Sequence, residues 1–355
     1  MTLVIKENEK FKIARSENYS FDFNKENGFF ARWGKTHKDD PQFSPFGPEI
    51  LDLEISVNGC PNKCPFCYKG NTNEAPTNMN LETHNKIIDK MGKQLTQVAY
   101  GLTGVQTNPD FIPMMEYCRT KGIIPNFTLS GIDLTDELAV KISKLVGALA
   151  VSAYQSDKNV CYNTVKKFTD LGIKQTNIHL MVSQETLGFA MEVLNDRISD
   201  PRLKDMNAVV FLGVKGKGRA KDHFHPLSKE QYRQLIQFCM EHKIAFGFDS
   251  CSAPKFEAAI SAMEGLTEEQ RKNLIMCSES CESSLFSAYI NVLGEFWMCS
   301  FSENAEGVEM VNVLEAKDFL ADVWNSPQVE KFRNKLLQTE IKGCRHCPVY
   351  PEINE

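Results

Sequence analysis

Apolar positions in this chain fall into short blocks separated by segments with helical spacing. From about residue 50 the blocks read "EILDLEISV", "TQVAYGL", "IIPNFTLS", "ALAVSAY", "QTNIHLMVS", "AVVFLGV" and "IAFGFD". Between them lie helical patterns, among them Leu81–Leu95, a segment after Asn108-Pro109-Asp110, one after Asp133, and Asn159–Leu171. Ser228 with Gln231 forms a capping box that opens a helix ending near His242. Strand–helix units repeating at roughly 25–40 residues predict a parallel sheet wrapped by helices, open or closed into a barrel.

Both ends of the chain depart from this rhythm. Near the start, Tyr19, Phe21 and Phe23 alternate with polar neighbours, and Asn27-Gly28 precedes Phe29-Phe30. Asn-Gly between such runs signals a hairpin, so residues 1–48 read as a small β extension. After about residue 265, "SAYINVLGEFWMCS" predicts a hairpin, followed by helices around "DFLADVW" and "PQVEKFRNKLLQ". The expected organisation is α/β, with the β extension at 1–48, a parallel sheet wrapped by helices, open or closed into a barrel, at 49–264 and a smaller α+β module at 265–355.

Composition narrows the classes. Hydrophobic residues make up 42% and charged residues 24%, an ordinary globular balance, and the formal charge is −6. No overall excess of positive charge marks a nucleic-acid or membrane-surface binder. The local basic run Lys215, Lys217, Arg219 and Lys221 reads as a solvated loop. Lys6, Glu7, Glu9 and Lys10 interrupt the first residues before an apolar stretch of signal length can form. The expectation is a cytoplasmic protein without a membrane span.

Twelve cysteines then stand out, because a reducing compartment disfavours disulfides and turns cysteine spacing towards metals or catalysis. Cys60, Cys64 and Cys67 follow the first barrel strand in "NGCPNKCPFCYKG", and a second group comprises Cys277, Cys281, Cys299, Cys344 and Cys347. Soft thiolates select zinc, copper(I) or iron–sulfur clusters. Structural zinc needs a fourth ligand that the first group lacks. A [4Fe–4S] cube takes one external ligand per iron, so three cysteines leave one iron open.

C-x3-C-x2-C with the aromatic Phe66 before its last cysteine, placed after strand one of a βα series, resembles the radical SAM superfamily. The resemblance implies a partial TIM (β/α)6-type barrel and an open iron that binds S-adenosylmethionine (AdoMet). The reduced cluster would split AdoMet to methionine and a 5′-deoxyadenosyl radical that abstracts hydrogen. Where relatives carry Gly-Gly-Glu, this chain has Thr103, Gly104, Val105 and Gln106, without the acid that holds the AdoMet amino group. Ser130 and Ser152, ending strands three and four, are similar to positions contacting the AdoMet carboxylate and ribose, and are equally readable as turn or cap serines. A reducing partner such as flavodoxin or ferredoxin is implied as well.

The second group, Cys281, Cys299, Cys344 and Cys347, resembles the SPASM/twitch extension of radical SAM enzymes. The resemblance implies a twitch domain with a single auxiliary [4Fe–4S] cluster that accepts an electron, and the spacing looks like that of twitch-type alcohol dehydrogenases acting on aminocyclitols. Four cysteines suit structural zinc too. Cys277 is a spare that could replace Cys281. Cys251 follows the last barrel strand and could donate a hydrogen atom or contact substrate, or be a buried thiol. Asp249, Tyr154, His179 and Lys215 are further candidates for a pocket, whereas Cys118, Cys161 and Cys239 read as core, and His223 with His225 lacks a third metal ligand. The expected function is a radical SAM oxidation or oxidative bond formation on a small molecule or peptide. A zinc or electron-transfer protein is the non-enzymatic alternative.

Overall fold

Strict alternation builds the N-terminal sheet. The computed structural model describes residues 2–71, 77–276, 278–341 and 344–354. In it, β1 (Val4–Glu7), β2 (Phe11–Arg15), β3 (Ser20–Asn24) and β4 (Phe30–Trp33) form a four-stranded antiparallel sheet. Phe21 and Phe23 share one face of β3 with nothing between them but Asp22 on the other, and both are fully buried. The turn from β3 to β4 uses Gly28 at φ 75°, the left-handed region that favours glycine.

The barrel follows as β5 (Ile50–Glu54), α1 (Leu81–Lys90), β6 (Gln97–Gly101), α2 (Phe111–Thr120), β7 (Ile124–Leu129), α3 (Asp136–Ser143) and β8 (Leu149–Ser152). It continues with α4 (Lys158–Asp170), β9 (Thr176–Val182), α5 (Leu187–Ser199), β10 (Val209–Gly213), α6 (Lys229–Glu241) and β11 (Phe246–Phe248). Each strand lies parallel beside its predecessor, so the ladder holds seven strands in chain order, one beyond a (β/α)6 count. The predicted capping box at Ser228 and Gln231 starts α6. Two helices, α7 (Ala253–Ala262) and α8 (Glu268–Met276), complete this part.

The two faces of the ladder differ chemically. Leu51, Leu53, Val98, Phe127, Leu149, Ile178 and Phe211 are buried against the helices. The other face presents Asp52, Asn126, Thr128, Asn177 and His179, in strand registers that bring them to one surface. A closed barrel fills that space with bulky apolar layers. Here it is lined with polar groups.

The C-terminal segment joins the same sheet. Strand β12 (Ser287–Ile290) pairs in parallel with β5, Ser287 opposite Ile50 and Ile290 opposite Leu53. It turns back into β13 (Glu295–Trp297) and β14 (Val311–Asn312), making a ten-stranded sheet with β11 and β14 as edges. A π-helical turn (Phe319–Trp324), α9 (Pro327–Gln338) and the short pair β15 (Glu340–Ile341) and β16 (Cys344–Arg345) follow. The N-terminal sheet seals this junction: Ala14, Tyr19, Phe21 and Phe23 pack with Leu285, Phe286 and Leu336. Arg32 adds ion pairs of 2.6 Å to both Glu49 and Glu282, with its guanidinium 3.3 Å from the centre of the Phe286 ring. Among the described residues no helix is long and apolar enough to cross a membrane.

One buried group sets a pH limit on the fold. His84 of α1 is fully buried, with Nε2 2.8 Å from the Tyr100 hydroxyl and Nδ1 2.9 Å from Asn85 Oδ1. Burial pulls its pKa down from 6.5 to about 4. The unfolded chain therefore takes up this proton below about pH 6.5 while the folded chain refuses it until about pH 4. Its contribution is full above pH 6.5 and is lost as the pH falls, by ~2 kcal/mol at pH 5. Urea titrations at pH 7 and pH 5 should show a change in stability that differs between the wild-type protein and His84→Gln by ~2 kcal/mol, the wild type losing more. An equal loss in the variant would contradict this account.

Candidate functional site

The first cysteine loop leaves the C-terminal end of β5, where ligands sit in parallel βα folds. Its root is tied down: Asn78 Oδ1 accepts the N–H of Val57 at 2.9 Å and of Asn58 at 3.1 Å, and Thr103 Oγ1 donates to the Asn58 carbonyl at 2.8 Å. Gly59, at φ 68°, makes the turn into Cys60. Burial raises the thiol pKa of Cys60 and Cys64, and the charges of the neighbouring cysteines of this loop add to that rise. The three sulfurs thus lie within electrostatic reach of one another. Phe66 stacks on Tyr154 at 6.1 Å and meets Phe224 edge-on at 5.9 Å, while the Tyr154 hydroxyl bonds the Cys64 side chain.

The basic run holds this loop, which corrects its reading as a solvated segment. Arg219 donates from Nε to the Cys64 carbonyl at 2.9 Å and from its backbone N–H to the Cys67 carbonyl at 2.9 Å. Gly218 approaches so closely that a Cβ there would stand 2.4 Å from the carbonyl oxygens of Cys67 and Tyr68. Lys217 reaches the other way, donating to the carbonyls of Phe301 at 3.0 Å and Glu303 at 2.7 Å, just beyond Cys299. Lys215 is buried in an ion pair with Asp249. Only Lys221 of the run is fully exposed.

Four cysteines of the second group also share a neighbourhood. Cys281, Cys299 and Cys347 line a cavity of about 290 Å³, and Cys344 lies within electrostatic reach of Cys281. Burial pushes Cys299 to about 11 and Cys344 to about 12. Backbone contacts set their positions: Cys299 N–H donates to Ser302 Oγ at 2.9 Å, Tyr350 N–H to Cys347 Sγ at 3.3 Å, and Arg345 Nε to the Cys281 carbonyl at 2.6 Å. Cys277 lies outside the described residues. Among the described residues no three His, Cys, Asp or Glu side chains converge on one point as a single ion would need. The two groups meet through their loops, with Tyr68 and Phe301 rings 4.4 Å apart and Lys69 joined to Glu54, Glu303 and Tyr289.

The same cavity is lined by Asp52, Lys215, Asp249 and Cys251 from the barrel. Cys251 sits in the turn Ser250–Ser252, and burial holds its thiol well above the usual range. His179 faces the polar side of the sheet, its Nδ1 3.1 Å from Thr128 Oγ1, and burial lowers its pKa to about 4. Cys118, Cys161 and Cys239 belong to the core. His225 pairs with Glu185 at 2.7 Å on the surface.

Around Gly104 the structure supplies an acid that the sequence reading missed. Gln106 is turned away from a ligand role: its backbone N–H donates to Asp133 Oδ2 at 2.8 Å and its side-chain amide donates to the Asp133 carbonyl. A Cβ at Gly104 would stand 2.5 Å from Asp133 Oδ2, so only glycine admits the carboxylate here. Asp133 Oδ1 is buried with no hydrogen-bond partner among the described residues, and its charge reaches Cys60. Ser130 is buried just after β7, and its Oγ accepts the Ile132 N–H at 3.4 Å, a turn contact. Ser152 ends β8 beside Tyr154. Nothing in the spacing of Asp133 marked it, because it joins the site from the loop after β7.

A family model for SPASM, an iron–sulfur cluster-binding domain, matches residues 281–348. Residues 281–348 are a SPASM domain. The match opens on Cys281 and spans Cys281, Cys299, Cys344 and Cys347, with Cys277 outside it. No curated protein matches the chain. Among solved structures, Streptococcus suis SuiB bound to precursor peptide SuiA is similar at TM-score 0.71 and 12% identity, covering 99% of this chain and 94% of that one. SuiB bound to S-adenosylmethionine aligns at 0.60 and 14%, over 81% and 66%. Native anSMEcpe with bound AdoMet and Kp18Cys peptide aligns at 0.59 and 13%, over 80% and 83%. Ahead of its SPASM domain the chain therefore has the partial-barrel fold of radical SAM proteins.

The clasp on the first loop gives a test. Arg219→Ala removes two side-chain bonds to the loop's carbonyls, at Cys64 and Asn71, while Lys217→Ala releases the loop after Cys299. Each should lower iron retention after desalting by up to about half, since each loosens one of two separate sites. Unchanged iron in both variants would show that the strap does not hold either site.

Proposed function

We propose that the chain is a radical SAM enzyme whose first cysteine group holds a [4Fe–4S] cluster and AdoMet, and whose SPASM domain holds one auxiliary cluster. The observation that carries this reading is the pairing of a three-thiol loop with an acid, Asp133, one of whose oxygens has no hydrogen-bond partner among the described residues. Three cysteines at the C-terminal end of β5 leave one iron of a cube open. Asp133 Oδ1, buried and unbonded among the described residues, supplies the anion that an AdoMet ammonium needs and that Gln106 cannot. The residues present fit the group. When bound, the cluster would supply an electron to cleave AdoMet, giving methionine and a 5′-deoxyadenosyl radical that takes hydrogen from substrate.

The remaining roles belong to the chain itself. Phe66, packed between Tyr154 and Phe224, keeps the cysteine loop in place. Gly104 and Thr103 shape the backbone beside Asp133, and Ser130 and Ser152 offer hydroxyls at the ends of β7 and β8. Cys281, Cys299, Cys344 and Cys347 saturate four coordination positions, which favours electron acceptance over substrate binding in the SPASM domain. Cys251 lines the cavity where substrate would lie and stays a thiol at neutral pH, able to give a hydrogen atom or to contact substrate. Peptide is the favoured substrate, since SuiB and anSMEcpe are each described with a bound peptide.

Anaerobically reconstituted protein should carry about eight irons per chain and, with dithionite and AdoMet, release 5′-deoxyadenosine. Cys60→Ala should abolish that release. Bound zinc without iron, or product from the Cys60→Ala protein, would contradict the proposal. Asp133→Asn keeps an acceptor for the Gln106 N–H but removes the charge. It should weaken AdoMet binding about tenfold or more with iron unchanged, as expected for a charged hydrogen bond.

A further inference from the structure

The cavity between the barrel and the SPASM domain is unbalanced in charge. Four acidic side chains, Asp52, Asp249, Glu279 and Glu282, and two basic ones, Lys215 and Arg345, line it. Most of these are already engaged. Lys215 pairs with Asp249, Glu282 with Arg32, and Arg345 Nε with the Cys281 carbonyl. Asp52 and Glu279 have no hydrogen bond or ion pair among the described residues, and they differ in that the Arg32 charge acts on Glu279 while no cation acts on Asp52.

Its position explains why that matters. Asp52 is in the middle of β5, opposite Ala99 of β6 on one side and Tyr289 of β12 on the other. Protein surrounds it, yet part of its surface opens on the cavity. Burial alone raises its acid pKa to about 6, with no cation near enough to oppose the rise. Its charge reaches the phenol of Tyr68, next to Cys67, while the same cavity is walled by Cys281 and Cys299. A group held at Asp52 therefore lies between the two cysteine groups. An ionised carboxylate enclosed without a counter-ion costs several kcal/mol, which a matching cation recovers on binding.

We propose that Asp52 is the counter-ion for a positively charged group of the substrate, an ammonium or guanidinium, held in the cavity between the barrel and the SPASM domain. This rests on the reading of that cavity as the substrate site. In that reading the auxiliary cluster takes the side of the cavity walled by Cys281, Cys299 and Cys347, so the part of its about 290 Å³ left beside Asp52 and Cys251 takes a single side chain rather than a length of backbone. The substrate is accordingly a basic side chain of a peptide, or a small amine of similar size.

The probes are Nα-acetyl-lysine N-methylamide, its neutral isostere Nα-acetyl-norleucine N-methylamide, and n-butylamine, each titrated by ligand-observed NMR against the anaerobically reconstituted protein. The lysine derivative should bind at least tenfold more tightly than the norleucine one, and Asp52→Asn should erase the difference while Asp52→Glu restores part of it. Tighter binding of the lysine derivative than of n-butylamine assigns the site to a peptide side chain, and equal binding assigns it to a free amine; both support the counter-ion role. Equal binding of lysine and norleucine derivatives, no binding of either, or a lysine preference that survives Asp52→Asn would overturn it. Release of 5′-deoxyadenosine in the absence of any probe reports on the radical reading separately, so the two failures are distinct results.

Discussion

The parallel pairing of Ser287–Ile290 with Ile50–Leu53 is the constraint on which the rest of the arrangement depends. Strand β5 carries Asp52 on its polar face and delivers the first cysteine loop from its end. By adding β12 to that same strand, the chain fixes Cys281 and Cys299 at a set distance from Cys60, Cys64 and Cys67. Main-chain hydrogen bonds make this a rigid relation rather than a docking of two separable bodies. The N-terminal sheet reinforces it, because Arg32 grips Glu49 before β5 and Glu282 before β12 at once.

Local side-chain-to-carbonyl bonds refine what the sheet sets up. Lys215, Lys217 and Arg219 follow one another on a single loop, yet contact the barrel acid Asp249, the loop after Cys299 and the loop of Cys64 respectively. Gly218 allows the approach, since any side chain would collide with the Cys67 carbonyl. Second-layer contacts of this kind hold metal ligands in place without touching the metal. Polar groups facing into the ladder, in place of the apolar layers of a closed barrel, leave the space that these loops surround.

Much of this was legible in the sequence. Seven apolar blocks became the seven parallel strands, the Ser228 capping box opened α6, and the four cysteines from Cys281 to Cys347 fell inside the SPASM domain. Periodicity reports how a segment faces its core, so it served well for these. It is silent on which distant strand a hairpin joins, and the β12–β5 pairing could not be read from either segment. Asp133 and the basic run were missed for a related reason. Bonds from a side chain to remote backbone groups leave no spacing pattern, and a lysine-rich loop looks the same whether it is solvated or clasping two neighbours.

In the proposed enzyme one cysteine group keeps an open coordination position and the other is closed. Electron paramagnetic resonance of the dithionite-reduced protein, with and without AdoMet, tests it most directly. Two cluster signals are expected, of which AdoMet shifts only one, with loss of that responsive signal when Cys60, Cys64 and Cys67 are replaced by alanine. A spectrum indifferent to AdoMet, or a response that persists without those three cysteines, would contradict it.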